Sequence, residues 1–158
     1  MYRVGIGYDM HRLVTGESFI LAGLKIDSEL GTLAHSDGDV LLHSVIDALL
    51  GGAGLGDIGE HFPDTDPKYK GVDSAELTRI CLEMIAEKGF SIENIDLTII
   101  LEKPKISPYK QKLESSLADI CGISTERVNI KATTNEKSGF IGREEGVVVM
   151  SVCMLQKK

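Results

Sequence analysis

Apolar and polar positions alternate along residues 2–8, with Val4, Ile6 and Tyr8 on one side and Gly5 and Gly7 between them. A period of two marks a strand, and the glycines predict a strand that another backbone or a ligand approaches closely. Residues 19–26 read as a small hairpin around Ala22-Gly23. The period then changes. In HSDGDVLLHSVIDALLGG, residues 35–52, Leu42, Val45, Ile46 and Leu49 recur at helical spacing; Ser36 or Asp37 can cap the start, and Gly51 and Gly52 end it. A second helix is predicted over residues 74–88, with Asp73 and Glu76 as a capping-box-like pair, a stripe of Leu77, Ile80, Cys81, Met84 and Ile85, and Gly89 as the stop. Residues 95–102, IDLTIILE, predict a strand. Ser107-Pro108 opens a third helix with Leu113, Leu117 and Ile120 inward and Gly122 at its end. Residues 128–132 and 146–155 predict two final strands.

Strand, hairpin, two helices, strand, helix and two strands make an α+β chain. The expectation is a single domain over residues 1–158, a mixed β-sheet with helices on one face. The opposite face also carries apolar side chains, and an oligomer partner is the simplest cover for it. Neither a repeat nor a linker interrupts the 158 residues.

Composition removes several function classes. The chain is 42% hydrophobic and 26% charged, as in a globular protein. A net charge of −7 and a pI near 5.1 argue against nucleic acid as a partner. No apolar run is long enough for a bilayer, and Arg3, Asp9, His11 and Arg12 break up any leader-like block. Cys81, Cys121 and Cys153 are odd in number, far apart and embedded in apolar-periodic segments. They read as buried thiols in a reducing compartment, so the expected location is cytoplasmic, with no membrane partner.

Four stretches carry candidate chemistry. In GYDMH, Asp9 and His11 lie two apart on a strand end and therefore share a side. On the first helix, Asp39, His43 and Asp47 follow at i, i+4 and i+8. Taken singly, each is more often an ordinary solvated side chain. Combined, Asp9, His11 and His43 offer three N/O ligands with a fourth position open, the arrangement of a catalytic rather than a structural zinc site. Asp39 or Asp47 could orient His43 from behind. The second stretch, GDIGEHFPDTDP (residues 56–67), places Asp57, Glu60, His61, Asp64 and Asp66 in a loop that Ile58, Phe62 and Pro63 can pack. The third, KATTNEKSGFIGREEG (residues 131–146), combines hydroxyls, backbone amides and Glu136, which suits phosphates bridged by a hard cation; its glycines match neither a Walker loop nor a dinucleotide fingerprint. The fourth, EKPKI (residues 102–106), follows a strand and exposes backbone groups to a flat base edge, though a plain connecting loop reads as well.

GYDMHRL, LAHSDGDVLLHSVIDALLGGAGLGDIGEHFPDTD and KATTNEKSGFIGREEG resemble the 2-C-methyl-D-erythritol 2,4-cyclodiphosphate synthases, the cyclising enzymes of the non-mevalonate isoprenoid pathway, over essentially the whole chain. The resemblance implies a homotrimer whose sheets face its core and whose active sites lie between subunits. It implies zinc on Asp9, His11 and His43, and Mg²⁺ or Mn²⁺ on Glu136 with the substrate phosphates. His35, Thr134 and Asp57 fall in the implied catalytic set, with His35 and Ser36 on the 2-phosphate and Asp57 and Gly59 on the methylerythritol hydroxyls, near Phe62 and Asp64. By the same resemblance, Thr133, Thr134 and Lys105 would contact the cytidine diphosphate part, whose base would lie against the backbone of residues 101–106. The resemblance also implies that Phe140 and Arg143 line a cavity on the threefold axis suited to an isoprenoid diphosphate. Asn135 and Ser138 stand where family members often carry Thr and Leu, and Ser138 makes the axial cavity more polar.

Two other classes remain open at this level. One is a zinc hydrolase with Asp57 as general base. The other is a trimeric isoprenoid-diphosphate sensor using Phe140 and Arg143 with a structural zinc site, which calls for a fourth protein ligand that the sequence does not obviously offer.

Overall fold

A computed structural model describes residues 1–157. The sheet is mixed and five-stranded, in the order β4-β1-β7-β5-β6. It is built from β1 (Tyr2–Thr15), β4 (Leu30–Leu33), β5 (Phe90–Ile100), β6 (Val128–Thr133) and β7 (Gly146–Lys157). Only β5 and β6 run parallel; β1 pairs antiparallel with β4 and β7, and β7 with β5. The hairpin of β2 (Phe19–Leu21) and β3 (Leu24–Ile26) stands apart from it. Three long helices, α1 (Val40–Ala53), α3 (Ser74–Glu87) and α4 (Lys110–Cys121), are accompanied by two single turns, α2 (Ile58–His61) and α5 (Gly139–Gly142). The α+β class and the mixed sheet are those expected from the residue pattern.

Several boundaries differ, each for a local reason. Strand β1 continues to Thr15 because β4, four residues too short to show a period, pairs with its second half from Arg12 to Thr15. Strand β5 begins at Phe90, and its register breaks between Ile92 and Asn94, so the alternation slips and hides the first half from a period-two reading. Helix α1 starts at Val40, capped by Asp39 rather than by Ser36 or Asp37, and runs through Gly51 and Gly52 to Gly54, whose φ of 73° closes it.

Gly5 and Gly7 set how closely α1 lies on the sheet. A Cβ at Gly5 would stand 1.9 Å from the Ala48 carbonyl oxygen, and one at Gly7 1.8 Å from that of Ser44. The contact continues onto β7, where Ser44 Oγ and Ser151 Oγ are 2.7 Å apart and the Cys153 thiol donates to the Ala48 carbonyl. Leu41, Leu42, Ile46, Leu49 and Leu50 of α1 are all fully buried. The helix is thus enclosed on nearly every side, between the sheet and α3, rather than presenting a single stripe.

On the opposite face of the sheet, Val4 lies across from Met154, Ile6 from Val152 and Tyr8 from Met150. All six side chains are exposed, Val4 and Ile6 at 64%. The three cysteines are buried and unpaired. Burial pushes the thiols of Cys81 and Cys121 up to about 12 and that of Cys153 to about 11, so none is a reactive thiolate near neutrality. Among the described residues, no helix is long and apolar enough to cross a membrane.

Candidate active site

The alternation of β1 turns Gly5, Gly7, Asp9 and His11 toward α1, and the same close approach brings His43 onto them. Asp9 Oδ2 lies 3.1 Å from His11 Nδ1 and 3.3 Å from His43 Nδ1, and the two imidazole centroids are 5.2 Å apart. Among the described residues, this is the one group of three or more His, Cys, Asp or Glu side chains whose donor atoms all fall within 4.8 Å of one another. Asp9 Oδ2 and His11 Nδ1 are both buried without a hydrogen-bond partner. Buried polar atoms rarely stay unsatisfied. A tetrahedral ion with bonds of about 2.0–2.1 Å spaces its ligand atoms roughly 3.3 Å apart, so the donor set fits a zinc-like cation with one position left open.

The electrostatics fit as well. Burial pushes the Asp9 carboxyl up, but the two imidazoles outweigh it and hold it below the ordinary range. Burial works to lower His43, but Asp9 beside Nδ1 and the charges of Asp39 and Asp37 raise it above its ordinary value.

Neither aspartate expected to orient His43 does so. Asp39 is fully buried and accepts from the backbone N–H groups of Leu42, Ala22 and Gly23, tying the start of α1 to the β2–β3 turn. Asp47 accepts from the Ile58 N–H and anchors α2. Instead, His43 Nε2 lies 2.9 Å from Ser74 Oγ and 3.3 Å from Ser36 Oγ. Ser74 comes from the start of α3, which no local spacing connects to His43.

A cavity of about 350 Å³ opens beside this cluster, lined among others by His11, His35, Ser36, His43, Gly59 and Asp64, with Ile58, Phe62 and Tyr69 as its apolar wall. Phe62 is buried edge-on against Tyr69, with centroids 5.6 Å apart. That contact gives the loop of residues 56–67 its fixed shape. Asp57 is exposed and caps α2 by accepting from the Glu60 N–H. His61 is turned away, with Nε2 on the Leu55 carbonyl.

Lys105, Thr133, Thr134, Glu136, Phe140 and Arg143 do not line this cavity. Met10 lies opposite Val148, Val148 opposite Ile100, and Ile100 opposite Thr133. The metal cluster and Thr133 therefore share one end of the sheet but stand three strand spacings apart, roughly 14 Å. Glu136 and Lys137 carry positive φ values of 51° and 60°. Glu102 Oε1 holds that turn by accepting from the N–H groups of Asn135 (2.8 Å) and Lys137 (3.3 Å). The EKPKI stretch thus supports the Glu136 loop, a link invisible in the sequence because 33 residues separate the partners. Asn135 Nδ2 donates to the Ser138 carbonyl, and Arg143 forms a two-pronged pair with Glu145.

The YgbB family model matches residues 2–156. The chain belongs to the YgbB family. The 2-C-methyl-D-erythritol 2,4-cyclodiphosphate synthase of Agathobacter rectalis is 56% identical over 153 residues, covering 97% of this chain and 86% of that protein. The bifunctional IspDF of Campylobacter jejuni superposes with a TM-score of 0.96 at 44% identity over 100% of this chain, which spans 43% of that longer protein. A 2C-methyl-D-erythritol-2,4-cyclodiphosphate synthase solved with CDP bound superposes at a TM-score of 0.90 and 36% identity, covering 98% of this chain and 100% of that one.

Proposed function

We propose that this YgbB-family chain converts 4-diphosphocytidyl-2-C-methyl-D-erythritol 2-phosphate to 2-C-methyl-D-erythritol 2,4-cyclodiphosphate and CMP. That is a phosphorus–oxygen lyase reaction of isoprenoid precursor biosynthesis, carried out in the cytoplasm by one domain over residues 1–158. The observation that carries this reading is the Asp9, His11 and His43 cluster, which opens onto the cavity lined by His35, Ser36, Gly59 and Asp64. Its family relatives bear the name of that activity.

In the reaction, an oxygen of the substrate's 2-phosphate bonds to the β-phosphorus of its diphosphate. The bond from that phosphorus to the CMP oxygen breaks, and CMP leaves with the electron pair. Nucleophile and leaving group are both anionic phosphates, so no strong general acid or base is required. The obstacles are repulsion between anions and the entropy of folding the chain into a ring. Zinc on Asp9, His11 and His43, and Mg²⁺ or Mn²⁺ on Glu136 with the substrate phosphates, supply Lewis acidity and neutralise charge when bound.

The chain's own side chains do the positioning. His35 and Ser36 hold the 2-phosphate beside the metal cluster. Asp57 and Gly59 take the methylerythritol hydroxyls, with Asp64 alongside, and the Phe62 wall keeps water from the ring-closing step. Thr133, Thr134 and Lys105 hold the cytidine diphosphate, with the base against the backbone of residues 101–106.

The roughly 14 Å between the two halves supports a site completed by a neighbouring copy. The exposed Val4, Ile6, Tyr8, Met150, Val152 and Met154 face supports sheets packed around the core of a homotrimer. Phe140 and Arg143 then line the axial cavity, where an isoprenoid diphosphate competes with Glu145 for the Arg143 guanidinium. The test is phosphorus NMR of the synthetic substrate incubated with the zinc- and magnesium-loaded protein. Cyclic diphosphate with an equivalent of CMP supports the reading; an acyclic phosphate makes the protein a hydrolase, and unchanged substrate removes the activity.

A further inference from the structure

Behind His43, on the side away from Asp9, runs a chain of hydrogen bonds from three separate segments. Ser74 is fully buried, and its hydroxyl donates to Asp37 Oδ1 over 2.5 Å. The Asp37 carboxylate also accepts from the Ser74 N–H at 2.9 Å and from the Asp39 N–H at 3.1 Å. A serine has one hydroxyl hydrogen. With that hydrogen committed to Asp37, Ser74 Oγ can only accept from His43 Nε2, 2.9 Å away. The Nε2–H tautomer is thereby selected, and the Nδ1 lone pair is left facing Asp9 Oδ2 at 3.3 Å.

We infer that Ser74 and Asp37 are positioning residues for the metal: the relay Asp37–Ser74–His43 fixes the imidazole's tautomer and orientation and strengthens Nδ1 as a donor. This rests on the reading of Asp9, His11 and His43 as the metal ligands. A carboxylate acting on a ligand imidazole is a general device, and losing such a partner weakens metal binding by about 10–100-fold. Here the carboxylate acts through a hydroxyl. The relay also joins the metal cluster to the first turn of α3 and to the 35–39 segment, which carries His35 and Ser36 into the cavity. The residues that hold the ion and those that face the 2-phosphate are thus set by one hydrogen-bonded unit.

The test measures zinc affinity of the full chain by competition with a chromophoric chelator. The visible spectrum of the cobalt-substituted form and the imidazole ¹⁵N–¹H signals provide further readouts. Ser74→Ala is expected to weaken zinc binding about 10–100-fold, to alter the cobalt spectrum and to speed exchange of the His43 Nε2 proton. Ser74→Thr, which keeps the hydroxyl, restores all three, and Asp37→Asn gives a smaller loss in the same direction. Unchanged zinc affinity in Ser74→Ala overturns the inference. Should Ser74→Ala fail to fold, wild-type protein decides: a slowly exchanging Nε2–H in the zinc form supports the relay, and zinc bound at Nε2 overturns it. His43→Ala separates the two readings, because a variant that keeps full zinc affinity removes the metal site itself.

Discussion

The Asp9 carboxylate and the His43 imidazole, 34 positions apart in the chain, meet at 3.3 Å between Oδ2 and Nδ1, where β1 and α1 touch. The contact exists because Gly5 and Gly7 let the helix backbone settle onto the strand. His43→Ala should therefore lose bound zinc and cyclisation, the latter by about 10²–10³-fold or more, since a Lewis acid contributes several kcal/mol. Metal analysis and phosphorus NMR measure both, and a metal-free variant with full turnover would falsify the zinc assignment. Its circular dichroism should match wild type, because the packing of α1 rests on its leucines.

Acidity should act on stability and on metal binding in opposite directions. In the metal-free protein, Asp9 and the charges of Asp37 and Asp39 face His43 and hold its pKa above the ordinary value near 6.5. That stabilisation is complete below the unfolded value and is lost as pH rises through the folded one. The melting temperature of the metal-free form should fall across that window. Zinc requires the neutral ring, so zinc affinity should rise by about tenfold per pH unit below the folded value and level off above it. Calorimetry and chelator competition across pH measure the two curves; parallel trends would contradict the assignment.

Gly7→Ala tests the close approach directly. With the added methyl 1.8 Å from the Ser44 oxygen, α1 must move off the sheet, at a cost of about 2–3 kcal/mol. His43 moves with it. Both the urea midpoint and zinc affinity should drop, whereas Gly51→Ala, whose added carbon comes no closer than 4.0 Å to the Ile6 carbonyl oxygen, should leave zinc affinity unchanged.

Glu102 acts on the other half of the site. Glu102→Ala frees the N–H groups of Asn135 and Lys137 and loosens the turn that presents Glu136. The magnesium concentration for half-maximal activity should rise by about tenfold, with zinc content unaltered. Glu102→Gln, which keeps an acceptor oxygen, should shift it less. A magnesium titration identical to wild type in Glu102→Ala would show that the turn needs no such anchor.

Ile6→Asp places a charge in the exposed apolar face opposite Val152. On the proposed homotrimer, sedimentation equilibrium should then give 17.1 kDa in place of three times that mass, with activity lost while zinc affinity persists. An unchanged assembly would mean that this face is not the contact.

Local pattern settled much of this protein. The alternation of Val4, Ile6 and Tyr8 against Gly5 and Gly7 told which face of β1 meets another backbone, and Asp9 and His11, two apart, necessarily followed the glycines to that face. The helical spacing around His43 showed an apolar helix with one imidazole, and the three long motif blocks identified the family. What the spacing could not tell was which polar neighbour each side chain would find. Asp39 and Asp47 have the i±4 spacing of orienting residues, yet their carboxylates bind the backbone of the β2–β3 turn and of α2. Ser74 and Glu102 have no such spacing, yet they hold His43 and the Glu136 turn. The reason is physical. A strand or helix period is imposed by the chain's own backbone geometry and can be read one segment at a time. A hydrogen bond between segments 30 or more residues apart exists only once strand order and helix packing have brought them together.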